Sequence, residues 1–346
     1  MKITKVQLQN FRCFSAYEQR IEEQLVVIRG DNGTGKSSLL EALYTAVFAK
    51  SFRTSDSNHL RTFGTEYFVV ALTGTDQFND TWNIRLTEKD KKKELTFNNK
   101  KVKTFKEIFQ IIKVLSLSEE DLAIMAGAPE FRRTFIDRAI ALQDPSYIEI
   151  LQQHKKVLAQ KNSLLKNGHA EASLFDLWTE KQDDLDRYIR DTRIRYLEKI
   201  VLQAKKLYEA FEGDTINLTP YYETAPMPDK EMRWQREKGS ERTLWGSHKD
   251  DPSMLLNDQP ARFFASRGQQ KLIVTLLHLA QIQLLNNPCI LLLDDFLTDL
   301  DPSKAKTILE IALQAGTQLF ISTPERQNQS ESFQTFPFQE ILLSRE

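Results

Sequence analysis

The stretch GDNGTGKSS, Gly30 to Ser38, constrains this chain more than any other. It fits G-x-x-x-x-G-K-[ST], with Gly30, Gly35, Lys36 and Ser37 in the fixed places. QLVVIRG precedes it, a short apolar run of β-formers, and SSLLEALYTAVFAK follows, with Leu39, Leu40, Leu43, Val47 and Phe48 at helical spacing. Strand, glycine loop and helix in that order form a phosphate cradle. Gly30, Asn32, Gly33, Gly35 and Ser38 let backbone N–H groups turn toward a polyphosphate, Lys36 neutralises charge between the last two phosphates, and the Ser37 hydroxyl is a magnesium ligand. The bland alternative is a glycine turn with a helix-capping serine, which the flanking strand and helix disfavour.

Composition narrows the partners. A chain of 346 residues can bury a large core in two lobes, and at 40% hydrophobic and 27% charged it is expected to fold as a globular protein. No apolar run reaches the ~18 residues that span a bilayer, and MKITKVQLQNF has no signal-peptide core, so the expected address is the cytoplasm with no membrane partner. Cys13 and Cys289 lack a C-x-x-C or zinc spacing and read as structural thiols. A net charge of −1 gives no whole-molecule basic field, so nucleic acid must be met by a local patch.

The order of elements is α/β at both ends and helical between. KITKVQLQNF and LVVIRG at the start, and NPCILLLDDF and TQLFIST near the end, read as strands. From about Ser118 to Gln203 apolar residues fall at three- and four-residue intervals, as in YIEILQQHKKVLAQKNSLL. The expected division is an ATP-binding lobe from residues 1–112 and 286–346 and a helical lobe from 113–285. TWNIRLTEKDKKKELTFNNKKVK alternates polar and apolar residues around turn-like spots at Lys89–Lys91 and Asn98–Asn99, which predicts an antiparallel β-arm. There is no internal repeat and no heptad run long enough for an extended coiled coil.

CILLLDDFLTDLD supplies the second half of an ATP site. A buried strand ending in Asp294 places one carboxylate beside Ser37, where it can hold magnesium through water, while Asp295 reaches the attacking water. An acidic loop after a core strand is the weaker reading. Upstream, in FFASRGQQKLIVTLLHLAQIQLL, Ser266 precedes a long helix. It is either a second anion site, bound across a dimer to a γ-phosphate, or a plain N-cap.

SRGQQK followed by LLLDDFLTDLD resembles the signature and Walker B motifs of ABC-type ATPases, and LQNFRCF, NGTGKSSLLEALY, SFRTS, SLSEEDLAIMAGAPEFRRTFID, LAQKNSLL and GSHKDD in this order resemble the RecF family of bacterial DNA gap repair. The resemblance spans nearly the whole chain. It implies a P-loop NTPase with an ABC-type ATPase head, an antiparallel β-arm, an inserted helical second lobe and no long coiled coil. It implies ATP and Mg2+ on Lys36, Ser37 and Asp294, water held by Asp295, and Ser266, Arg267, Gly268 and Gln269 closing from the other protomer of an ATP-dependent homodimer. Asp301 would lie at the dimer seam, and Thr323 takes the switch position where transporter ATPases carry histidine. The implied activity is a weak DNA-stimulated ATPase that clamps double-stranded DNA near gap junctions with single-stranded DNA, with RecR and RecO as partners and RecA served indirectly. Asp299 and Lys249 depart from the family's glutamate and arginine.

Basic residues concentrate in the β-arm, at Lys91, Lys92, Lys93, Lys100, Lys101 and Lys103, where mobile positive charge could track a duplex backbone. Lysines also blunt exposed strand edges. Arg187, Arg190, Arg193 and Arg195, interleaved with acids, read as a solvated, salt-bridged helix face or as a second DNA surface. The motor subunit of a membrane transporter is the rival class, and SRGQQ in place of LSGGQ and Thr323 in place of histidine weigh against it. A P-loop kinase for a small molecule explains neither SRGQQK nor the late Asp294.

Overall fold

The computed structural model describes residues 2–54, 56–76, 78–104, 107–108, 111–166, 172–213, 215–285, 287–295, 302–324 and 335–344. The chain divides into two compact units, Met1–Asp121 with Gln281–Glu346, and Leu122–Ala280.

The first unit opens with β1 (Lys2–Phe11), β2 (Phe14–Arg20), β3 (Leu25–Gly30) and α1 (Lys36–Phe48). Strands β4 (Tyr67–Thr75), β5 (Thr81–Lys89), β6 (Lys92–Phe97), β7 (Lys100–Lys101) and β8 (Val114–Ser118) follow. In the second unit come α2 (Ala123–Ala126), α3 (Pro129–Gln143), α4 (Tyr147–Lys166), α5 (Ala172–Glu212), β9 (Leu218–Glu223) and α6 (Lys230–Ser240). It continues with β10 (Asp251–Leu256), β11 (Gln259–Pro260), α7 (Ala261–Phe264) and α8 (Arg267–Leu285), whose residues from Gln281 onward belong to the first unit. The first unit then continues with β12 (Ile290–Asp294), α9 (Pro302–Gln314), β13 (Gln318–Pro324) and β14 (Phe338–Leu342).

Two sheets build the first unit. The parallel sheet has the order β14-β3-β13-β12-β8. Its central strands are apolar without alternation, Leu25 to Ile28 in β3 and Ile290 to Leu293 in β12 being buried throughout, as strands covered on both faces must be. The antiparallel sheet, β2-β1-β4-β5-β6-β7, instead alternates: Trp82, Ile84, Leu86 and Glu88 of β5 point inward while their neighbours are at least partly exposed. Helix α1 packs against strands of both sheets, which explains why it is buried nearly all round rather than along one stripe.

The arm foreseen in the sequence is the β5-β6-β7 edge of that sheet. Its turns are the pairs Asp90-Lys91 and Asn98-Asn99, all four residues with positive φ, joining Lys89↔Lys92 and Phe97↔Lys100. Two left-handed residues in a row match the twist of a tight hairpin, and Asn and Asp tolerate that conformation best after glycine.

The expected lobe boundary at residue 113 needs correction. β8 pairs in parallel with β12, Ile290↔Val114 through Asp294↔Ser118, and so belongs to the first unit's sheet. The second unit is also not purely helical, since β9, β10 and β11 form a three-stranded antiparallel sheet within it. Among the described residues no helix is long and apolar enough to cross a membrane.

The 41-residue helix α5 is held by buried ions. Lys161 and Glu237 meet at 2.7 Å, both fully buried. Arg193 donates two hydrogen bonds to Asp137 and one to the Ser247 carbonyl, and Arg190 forks onto Asp250. Those two arginines are therefore internal struts rather than a solvated face or a DNA surface, whereas Arg187 and Arg195 are exposed. The GSHKDD loop is the common partner. Ser247 N–H and the His154 ring both reach Asp186 Oδ1 at 2.8 Å, and Arg132 forks onto Asp251. Gly246 has φ 137°, and a Cβ there would stand 2.5 Å from Gln182 Nε2 and 2.7 Å from Asp186 Oδ2, so no other residue fits.

His248 makes this unit pH-sensitive. Burial pushes its imidazole down to about 4, with the Asp186 carboxylate opposing and His154 and Lys249 adding. The unfolded chain accepts that proton near pH 6.5, so stability is present above 6.5 and is lost as pH falls toward 4. Thermal melts followed by circular dichroism at about pH 7 and about pH 5 should show a smaller loss for His248→Asn than for wild type. Equal losses would assign the sensitivity to other groups.

Candidate functional site

The carboxyl ends of the parallel strands form one crest. Thr323 lies opposite Arg29 and Pro324 opposite Gly30, while Asp294 lies between Ser322 on one side and Ser118 on the other. This is the edge of an open parallel sheet at which ligands bind.

The phosphate loop rises from that edge. Gly30, Gly33 and Gly35 all have positive φ, at 156°, 86° and 101°. At Gly30 a Cβ would come 2.3 Å from the Leu343 carbonyl oxygen and 2.6 Å from Thr34 Oγ1, so the bend from β3 into the loop requires glycine. Thr34 closes a turn onto the Asp31 carbonyl by its N–H and its hydroxyl. Helix α1 begins at Lys36. The Lys36 ammonium donates to the carbonyls of Gly30 and Asp31 at 3.0 and 3.1 Å and is buried inside its own loop. Ser37 and Ser38 stand half-buried in the first turn, and Asn32 and Gly33 are exposed at the tip. The positive end of α1 and the glycine N–H groups thus share one side with Lys36.

Asp294 ends β12 and Asp295 directly follows it, and Ser322, which the sequence reading passed over, joins them. Its hydroxyl lies 2.8 Å from Asp294 Oδ1 and 3.2 Å from Asp295 Oδ1, and it accepts the Asp295 N–H at 2.8 Å. Asp295 adopts a left-handed backbone, φ 50°, uncommon outside glycine and asparagine. Burial pushes its carboxyl up and the Asp294 charge adds to that, with Lys36 and the Ser322 hydrogen bond opposing. Glu120, just past β8, is pushed up by burial too, and Asp121 and Asp294 add their charges against Arg53. The Thr323 hydroxyl is buried and makes no hydrogen bond among the described residues. Asp299 and Asp301 lie outside the described residues.

Arg12 is the second residue the motif reading missed. From the β1–β2 turn it forks onto Glu41 of α1, with both hydrogen bonds at 2.7 Å, and Glu41 also accepts from the Ser51 hydroxyl. The same turn lies on the loop, since a Cβ on Gly35 would meet Cys13 Sγ at 2.6 Å and the Phe14 ring at 2.9 Å. An arginine followed by a carboxylate 29 residues later leaves no local sequence signal.

The arm lysines are not equivalent. Lys93 donates to the Ala49 carbonyl at 2.7 Å and so caps the C-terminal end of α1, and Lys101 pairs with Glu94 at 3.3 Å. Lys91, Lys92 and Lys100 are exposed, as is Lys103 just beyond β7. In the second unit, Ser266 and Gln269 form a reciprocal cap at the start of α8: Ser266 N–H donates to Gln269 Oε1 at 2.9 Å and Gln269 N–H to Ser266 Oγ at 3.3 Å. The N-cap reading is thereby observed, and it leaves the Ser266 hydroxyl proton available to a further acceptor. Arg267 and Gly268 are exposed beside it, and a Cβ on Gly268 would meet open space.

The family model of RecF/RecN/SMC N-terminal domains matches residues 2–337. The chain is similar to the DNA replication and repair protein RecF of Geotalea daltonii, at 29% identity over 98% of this chain and 99% of that protein. The protein of the same name from Moorella thermoacetica is 30% identical over 94% and 90%. Among solved structures, the recombination mediator protein RecF with ATP in the RecFOR pathway matches with a TM-score of 0.84 at 27% identity, covering 94% of each chain. An SMC head bound to the C-winged helix domain of ScpA shares the fold, with a TM-score of 0.56 at 15% identity over 94% of this chain and 90% of that one.

The Arg12–Glu41 fork has a measurable worth. Glu41 is fully buried, so Arg12→Ala strands a charge rather than deleting a pair and should cost about 3–5 kcal/mol in urea unfolding. Glu41→Met in the same background should recover much of that loss. A change within about 0.5 kcal/mol for Arg12→Ala would mean that water reaches Glu41 freely.

Proposed function

The chain belongs to the RecF branch of the RecF/RecN/SMC N-terminal domain family, and from that premise we propose that it is an ATP-gated DNA-binding protein of DNA replication and recombinational repair. One observation carries the reading: the phosphate loop, Asp294, Asp295 and Thr323 stand together along one sheet edge, with an unpartnered buried hydroxyl among them. Lys36 and the loop N–H groups bind the ATP phosphates. Ser37 and Asp294 are the residues that would hold Mg2+, a hard cation that takes oxygen ligands. The donor set fits, since both groups are oxygens and a carboxylate supplies the charge. Magnesium neutralises charge on the transferring phosphate, and Asp295 orients the attacking water.

Asp295 is one methylene shorter than the glutamate of most ABC-type ATPases, and a misplacement of about an ångström costs on the order of a hundredfold in rate. Turnover is therefore slow. Slow turnover suits a switch. ATP joins two heads, with Ser266, Arg267, Gly268 and Gln269 of one protomer and Asp301 at the seam closing on the nucleotide of the other. The joined heads hold duplex DNA near a single-strand gap, and hydrolysis releases it. RecR, with RecO, is the partner of that state, and RecA benefits downstream. The exposed Lys91, Lys92, Lys100 and Lys103 support DNA contact through the arm, with Lys93 and Lys101 committed to the protein's own groups.

Two measurements test this reading. Asp295→Asn removes the charge that orients water but leaves Lys36, Ser37 and Asp294, so light scattering should find the ATP-dependent dimer on duplex DNA at normal yield, decaying more slowly, with hydrolysis near background. Persistent monomer in wild type under every condition would remove the clamp. Lys91→Glu with Lys92→Glu should lower duplex affinity for all sequences and shrink the slope of log affinity against log salt by about one per lost contact. An unchanged slope would move the DNA surface off the arm.

A further inference from the structure

We propose that Ser322 is the positioning residue that separates the roles of Asp294 and Asp295, an inference that rests on the ATPase reading above. Adjacent carboxylates at a strand end are chemically alike, and both have an oxygen within reach of the same hydroxyl, Asp294 at 2.8 Å and Asp295 at 3.2 Å. A serine hydroxyl has one hydrogen to give. The shorter contact assigns it to Asp294 Oδ1, which fixes that carboxylate's rotation and leaves its second oxygen for the metal.

Asp295 is handled by the opposite end of the same group. Its backbone N–H donates to Ser322 Oγ at 2.8 Å, which ties down a residue held in the left-handed region at φ 50°. Its side chain has only the longer, 3.2 Å contact to that hydroxyl, so Ser322 positions Asp295 through the backbone and Asp294 through the carboxylate. The hydroxyl cannot drift from this place. Ser322 is 1% exposed, and parallel pairing puts it directly opposite Asp294, with Ile321 opposite Leu293 one step below. Groups that orient a metal ligand typically contribute 10–100-fold to metal affinity or activity.

The test uses the full chain and a fluorescent ATP analogue, titrated with and without Mg2+, alongside hydrolysis measured against Mg2+ at saturating ATP and against ATP at saturating Mg2+. For Ser322→Ala, nucleotide affinity without Mg2+ should stay at the wild-type value. The Mg2+ needed for half-maximal tightening of nucleotide and for half-maximal hydrolysis should rise about tenfold or more, while KM for ATP moves far less. Ser322→Thr, which keeps the hydroxyl, should restore the wild-type Mg2+ dependence. Ser322→Cys, a weaker donor of similar size, should fall between and serves if the alanine variant fails to fold. Wild-type Mg2+ dependence in Ser322→Ala or Ser322→Cys overturns the role of Ser322 alone, as does an equal loss of affinity with and without Mg2+. A wild-type chain that binds no ATP overturns the ATPase reading and this inference with it.

Discussion

Parallel pairing of β3, β13, β12 and β8 in one fixed register determines where every charged group of the phosphate site can stand. Asp294 meets Ser322 and Ser118 because Ile290 meets Gln318 and Val114 four residues earlier, and Gly30 meets Pro324 by the same ladder. A slip of one residue in β12 would turn Asp294 to the other face of the sheet and bring Leu293 to the edge. Burial on both faces forbids such a slip. Leu25 to Ile28, Ile290 to Leu293 and Leu319 to Ile321 are all essentially inaccessible to water, and moving any of these rows outward loses about 25 cal/mol for each Å2 re-exposed. The core thus sets the geometry of the site at its edge, and α1, packed on both sheets, carries Lys36 to the same place.

Much of this arrangement can be read from local sequence. The phosphate loop, the strand running into Asp294 and Asp295 and the arm with its two turns all announce themselves in local sequence, whereas Ser266 reads equally as a cap or as an anion site. The first three rest on short-range chemistry: glycine conformations, period-two alternation, asparagine pairs that accept positive φ. What escapes is long-range. β8 reads as the start of a helical lobe until its pairing with β12, more than 170 residues later in the chain, places it in the sheet. Arg12 and Glu41, Lys93 and Ala49, and Ser322 and Asp294 are each ordinary residues whose meaning lies in a partner far along the chain. Arg190 and Arg193 illustrate the opposite error. Interleaving with acids at helical spacing suggests neighbours on the same helix, yet their carboxylates are Asp250 and Asp137, contributed from outside α5.

The ions buried in the second unit bear on why such partners are hard to infer. Apolar residues of similar size could fill the space around Lys161 and Glu237, and replacing a buried pair in that way is often neutral or stabilising by about 1–4 kcal/mol. Breaking the pair by removing one partner instead costs about 3–5 kcal/mol. The second number governs how the unit holds together. Once Lys161, Glu237, Arg233, Gln182 and Asp186 are linked through shared hydrogen bonds, no single member can change cheaply, and the GSHKDD loop they contact is held in one conformation. Apolar packing would tolerate several rotations of that loop about α5. Directional bonds to Ser247, Asp250 and Asp251, with Gly246 admitting no side chain, tolerate one.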